Sequence, residues 1–162
     1  MKKHTMFVLV ENHFGVLARV SSLFAGRGYN IDSLTLGETE DPSVSRMTIA
    51  VSGDDRILEQ ITKQLNKLVD VIKVVDLSEE GSFIDRELLL LRADTGKQNR
   101  AEVIEIAQVF GARVVDINRS SVTFELAGET EKIDSFVEMI RPYGIKELAR
   151  TGKLAMGKGK AK

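Results

Sequence analysis

Apolar residues along the chain change their spacing from two to nearly four and back. The run "MFVLV" at 6 to 10 predicts a strand over residues 4 to 10. Val16, Leu17, Val20, Leu23 and Phe24 then follow helical spacing, and Gly26 and Gly28 bracket the helix end. "IDSLTLG" at 31 to 37 predicts a second strand. After the turn-forming "DPS" at 41 to 43, Met47, Ile49 and Val51 alternate with Thr48 and Ala50 to give a third. Ile57, Ile61, Leu65 and Leu68 place an apolar stripe on a second helix, and "VDVIKVVDL" at 69 to 77 is a fourth strand.

The second half repeats this β-α-β-β-α-β order. "ELLLLRA" at 87 to 93 reads as a strand, and Val103, Ile104, Ala107 and Phe110 mark a helix ending at Gly111. "ARVVDIN" and "SVTFELAG" give two strands. Ile133, Phe136, Val137 and Ile140 mark a helix stopped near Pro142 and Gly144, before a short strand at 145 to 150. The expected class is therefore α+β, with two ferredoxin-like βαββαβ domains. Their expected limits are 1–78 and 83–162, joined by a linker at 79–82, with a loose basic tail from about 152. The halves share architecture and little residue identity.

In such a domain both helices cover one face of the sheet. Yet "MFVLV" and "LLLL" are apolar at every position, so both faces of those strands call for burial. Either the two domains cover each other or another chain does.

Composition narrows the chemistry. Lys and Arg number 23 against 24 Asp and Glu, and each half is close to neutral, which argues against nucleic-acid binding. Cysteine and tryptophan are absent, which removes disulfides, thiolate metal sites and cysteine nucleophiles. No apolar run reaches the roughly 20 residues of a membrane span, and the opening residues do not form a signal peptide. A cytoplasmic binding or interaction protein is the expectation.

The candidate chemistry lies in "ENHFGVLARV", residues 11 to 20, where a strand stops on polar residues and a glycine precedes a helix. A helix N-terminus presents unpaired N–H groups and the positive end of the macrodipole, which suit a carboxylate. Gly15 admits a ligand close to the backbone, and Asn12 adds an amide. An amino-acid zwitterion with an aliphatic side chain fits this arrangement. The same residues also serve as ordinary punctuation: Asn12 can satisfy the turn, and Asn30 can mark a helix-to-strand handover.

Over nearly its whole length the chain resembles the ACT-domain small, regulatory subunits of acetolactate synthase (acetohydroxyacid synthase). The resemblance is carried by Glu11-Asn12, Gly15, Leu17 to Val20, Arg27 to Ile31, Ser33-Leu34 and Ser45 to Thr48. "LEQITKQLNKLVDVIKVVDL", "RELLLLR" and "ELART" extend it. It implies a non-catalytic feedback regulator whose ACT domains pair as a homodimer and bind valine or a related branched-chain amino acid. The implied effector site comprises Asn12, His13, Phe14, Gly15, Val16, Leu17, Asn30 and Ile31, with Asn30 coming from the neighbouring subunit. His13 and Phe14 stand where relatives often carry smaller or acidic residues. The implied partner is the large catalytic subunit, which would hold thiamine diphosphate, Mg and FAD; this chain would hold no cofactor. Another amino-acid-sensing ACT regulator without that partner is the alternative.

Other motifs fail on context. "GKLAMGKG" at 152 to 159 has P-loop spacing but lacks the hydroxyl residue after Lys158. "GRG" at 26 to 28 follows a helix where a dinucleotide fingerprint precedes one. His4 and His13 have no partner at metal-ligand spacing and are expected at the surface. An acylphosphatase-like hydrolase would need a cationic cradle in the first turn, which "ENHFG" lacks, and a transcription factor would need a DNA-binding helical module.

Overall fold

The computed structural model describes residues 2–96 and 98–159. They form two compact units: the chain up to Ile84 together with the segment beginning at Lys153, and Asp85–Gly152. The first unit runs β1 (Lys2–Glu11), α1 (Val16–Ala25), β2 (Ile31–Glu38), β3 (Val44–Gly53), α2 (Asp55–Leu65) and β4 (Val71–Asp76), then a single helical turn, α3 (Leu77–Glu80). Its antiparallel sheet has the order β2-β3-β1-β4. From β5 (Phe83–Asp94) the second unit continues through α4 (Arg100–Phe110), β6 (Arg113–Ile117), β7 (Ser121–Gly128), α5 (Thr130–Ile140) and β8 (Ile145–Arg150). Its order, β6-β7-β5-β8, is the same ferredoxin-like topology. No helix among the described residues is long and apolar enough to cross a membrane.

The alternation seen in the sequence decides what each strand buries. On β1 the side chains of Met6, Val8 and Val10 meet Met47, Ile49 and Val51 of β3, beneath Val16, Val20, Leu23 and Phe24 of α1 and Leu58, Ile61 and Leu65 of α2. The second core joins Leu89 and Leu91 of β5 to Phe124 of β7 and Phe136 of α5, whose rings meet edge-on at 6.0 Å. Helix α2 is also set locally, since the Asp54 carboxylate accepts from the Ile57 N–H at 2.9 Å.

The structure changes three expectations. The described part of the basic tail is not loose; residues 160–162 lie outside the described residues. Residues Leu154–Gly157 form a last strand, β9, which belongs to the first unit. There it crosses the sheet face opposite the helices. The Ala155 N–H lies 3.4 Å from Thr48 Oγ1, Arg46 donates to the Ala155 carbonyl at 2.8 Å, and Ala155 clusters with Phe7, Val75, Leu77 and Phe83. Arg46 also lies 3.9 Å above the Phe7 ring, a cation–π contact. The outward side of β1 is thus partly covered by the chain's own C-terminal segment.

The expected linker is structured in its first half: Glu79 and Glu80 complete α3, whose Leu77 is buried and whose start the Asp76 carboxylate caps by accepting from the Ser78 N–H at 2.9 Å. The third change is His4, which is fully buried, with Nδ1 3.2 Å from Asp76 Oδ2. An acid 72 residues away in sequence makes that burial tolerable.

In the second unit, the blocks "RELLLLR" and "ELART" become ionic partners across β5 and β8. Arg150 pairs with the buried Glu87, which also accepts from Thr130 Oγ1 at 2.9 Å, and Arg92 pairs with Glu147. Leu88 and Leu90, by contrast, stay about two-fifths exposed on the open face.

Replacing Ala155 by Asp is expected to detach β9, because its site has no room to solvate a charge. Limited trypsin digestion would then cut rapidly after Lys153. Leu154→Asp, at a half-exposed position, should leave the segment as protected as in the native chain. A second substitution probes the other unit: Glu87→Gln should cost about 2 kcal/mol of its stability, read by denaturant melts, since Arg150 loses its charged partner.

Candidate effector site

The turn at 12–15 is built by β1 ending and α1 beginning. Gly15 occupies the N-cap with φ 85° and ψ −6°, the left-handed region, so a side chain there would be strained. No side chain caps α1, and the Gly15 carbonyl already accepts from the Arg19 N–H at 3.1 Å. The first-turn N–H groups of α1 therefore lack a side-chain partner, as an anion site requires.

Asn12 fastens the turn to the β2–β3 connection. Its N–H donates to the Ser43 carbonyl at 2.7 Å, and its side-chain amide donates to the Pro42 carbonyl at 2.9 Å and to Glu38 at 3.2 Å. These bonds use the donors and leave the carboxamide oxygen to accept. Phe14 is 98% exposed, Leu17 is partly exposed, and Val16 is buried in the core, where it anchors α1.

Asn30 and Ile31 are not brought to this turn. Asn12 binds Glu38 at one end of β2, whereas Asn30 precedes its other end, about 25 Å of extended chain away. Asn30 is exposed and donates to Asp32 at 3.2 Å. Within one chain the eight expected residues form one cluster and one separate pair.

Sequence reading missed the group that holds the turn from below. Asp70, buried just before β4, forms ion pairs with His13 Nε2 at 2.8 Å and Arg19 Nε at 3.1 Å, although its Oδ2 has no aligned hydrogen bond among the described residues, and Glu11 lies 3.3 Å from His13. The signal was present as one acid inside the apolar run "LVDVIKVV". His13 thus turns back toward the protein, and Glu11, His13 and Asp70 lie close enough to share a cation, contrary to the expectation of no metal-ligand partner. Arg19 already supplies positive charge to that carboxylate.

The His13 pKa is raised above the ordinary histidine value. The largest cause is the hydrogen bond to the Phe14 carbonyl, followed by opposing desolvation and then by the Asp70 charge, the Asp70 bond and the Glu11 bond. A raised folded-state pKa means that the contact favours the folded turn below the unfolded histidine pKa. That contribution fades as pH rises through the folded value. In an NMR titration His13 should therefore titrate above an ordinary histidine, and Asp70→Asn should move its midpoint down.

Comparisons with known proteins bear on the family of the chain. Residues 6–73 match the family described as the AHAS small subunit-like ACT domain, and residues 86–159 match the small subunit of acetolactate synthase. A probable acetolactate synthase small subunit of Archaeoglobus fulgidus is 52% identical over 160 residues, covering 99% of both chains. The acetolactate synthase small subunit of Mycolicibacterium smegmatis is 49% identical, over 96% of this chain and 91% of its own. The crystal structure of the small subunit from Thermotoga maritima aligns with a TM-score of 0.90 at 35% identity, covering 99% of this chain and all of that one. With both units matched and the full length covered, the chain belongs to the acetolactate synthase small-subunit family.

Proposed function

We propose that this chain is a regulatory subunit that raises the activity of the large, thiamine-diphosphate-dependent catalytic subunit. It would make that activity sensitive to valine or a related branched-chain amino acid. The observation that carries the reading is the uncapped N-terminus of α1 behind a left-handed Gly15, flanked by the Asn12 carboxamide. The effector carboxylate would lie on the α1 N–H groups, its ammonium on the Asn12 oxygen, and its side chain near the partly exposed Leu17.

The separation of Asn30 from this turn supports a site completed by a second copy. In a homodimer of ACT domains, Asn30 and Ile31 of the partner would close over the ligand, and the ligand's affinity would depend on how the copies are oriented. An effector buried there shifts the complex toward a less active state only through its different affinity for the two states, typically about 1–3 kcal/mol. Thiamine diphosphate, Mg and FAD belong in this reading to the catalytic partner, and the complex would work in the cytoplasm in branched-chain amino acid synthesis.

Isothermal titration calorimetry of valine into the native protein should show saturable binding. Asn12→Ala and Asn30→Ala should each weaken it about tenfold or more while their melting curves stay cooperative. Native binding that survives both substitutions would move the site elsewhere. No binding of valine, leucine or isoleucine, with or without the catalytic subunit, would overturn the reading.

A further inference from the structure

The second unit has its own first strand-to-helix turn, between β5 and α4, at the topological position that residues 12–15 hold in the first unit. A cavity of about 350 Å³ lies there, lined by Thr95, Gly96, Arg100 and Arg119. Its size is within the range of small-ligand sites.

Two features set this cavity apart from an ordinary surface dip. Thr95 is fully buried, and its Oγ1 has no hydrogen-bond partner among the described residues. Buried hydroxyls nearly always have one, so an orphan at the wall of a cavity points to a missing acceptor or donor. Arg119, in the turn between β6 and β7, is exposed and makes no ion pair or hydrogen bond among the described residues.

The remaining wall is also electropositive. Arg100 is the first residue of the eleven-residue α4, and its Nη2 donates to the Asn118 carbonyl, which fixes the guanidinium at the cavity. The α4 N-cap residue, Asn99, makes no side-chain capping bond, and the acid of the first turn, Glu102, does not line the cavity. The nearby acids are engaged elsewhere: Asp94 lies 3.6 Å from Lys146, and Glu102 is hydrogen-bonded to Tyr143. Neither lines the cavity.

We infer that this cavity is a second ligand site, one that binds the phosphate or diphosphate group of a small phosphorylated metabolite. Two guanidinium groups, a hydroxyl and a helix N-terminus together offer more donors than one carboxylate accepts, and they match a tetrahedral group with several acceptor oxygens. The first unit's turn differs in kind. Its only arginine, Arg19, is committed to Asp70, which leaves a site suited to a zwitterion. The two turns would thus read different chemistry from the same topological position. This inference does not depend on the amino-acid reading of the first unit.

The test is calorimetry with inorganic phosphate and diphosphate at low ionic strength, on the full chain. Saturable diphosphate binding is expected, weakened about tenfold by Arg119→Ala and several-fold by Thr95→Val. Both variants should keep the native melting temperature without ligand, because Arg119 is exposed and Thr95→Val removes an unpaired hydroxyl. Asn12→Ala should bind diphosphate as the native protein does, which separates this site from the amino-acid site. Absence of saturable binding at millimolar diphosphate would overturn the inference, even if valine binds normally. So would binding that both second-unit variants retain in full, since that is the behaviour of diffuse charge attraction.

Discussion

The structure of the first unit depends on one constraint: β1 is a central strand whose side chains are apolar on both faces. Met6, Val8 and Val10 are satisfied by the helices. Phe7 points the other way, and a ferredoxin-like sheet offers nothing on that side. The chain resolves this with its own C-terminal segment, which brings Ala155 against Phe7 and ties its backbone to Thr48 and Arg46. The "SRMT" block then makes sense residue by residue. Met47 faces the helices, while Arg46 and Thr48 face the returning segment.

Burial of charge organises the turn at 12–15 in a comparable way. Asp70 is almost wholly removed from water, so it needs compensation, and Arg19 from α1 and His13 from the turn supply it. The strand end, the turn and the first helix are thereby fastened to one carboxylate. Helix α1 can remain without a side-chain cap because the turn is held from below by Asp70 and from the side by Asn12. A ligand at the α1 N-terminus would meet a backbone that is already ordered, which limits the entropy lost on binding.

The two units share a topology and differ in what their corresponding turns carry. In the first, the guanidinium near the turn is neutralised by a buried acid. In the second, Arg119 stands without an acid and Thr95 without a partner among the described residues. Equal folds therefore do not imply equal ligands, because the backbone fixes where a site forms and a few side chains fix its charge.

Much of this was legible in the sequence, for a physical reason. The period of the apolar residues reports which face of each element leaves water, so both βαββαβ repeats and both cores followed from Met6, Val8, Leu89, Leu91 and their helical counterparts. The glycine at 15 and the polar residues before it marked the turn, since conformational freedom and helix-end chemistry are properties of local sequence. What local sequence does not encode is pairing at long range. That His4 would be buried against Asp76, that Asp70 would gather His13 and Arg19, and that Leu154–Gly157 would fold back across β3 were all decided by the tertiary structure. Each depends on groups far apart in the chain meeting where water is excluded. Only there do an acid's partner and the far side of a strand become matters of energy.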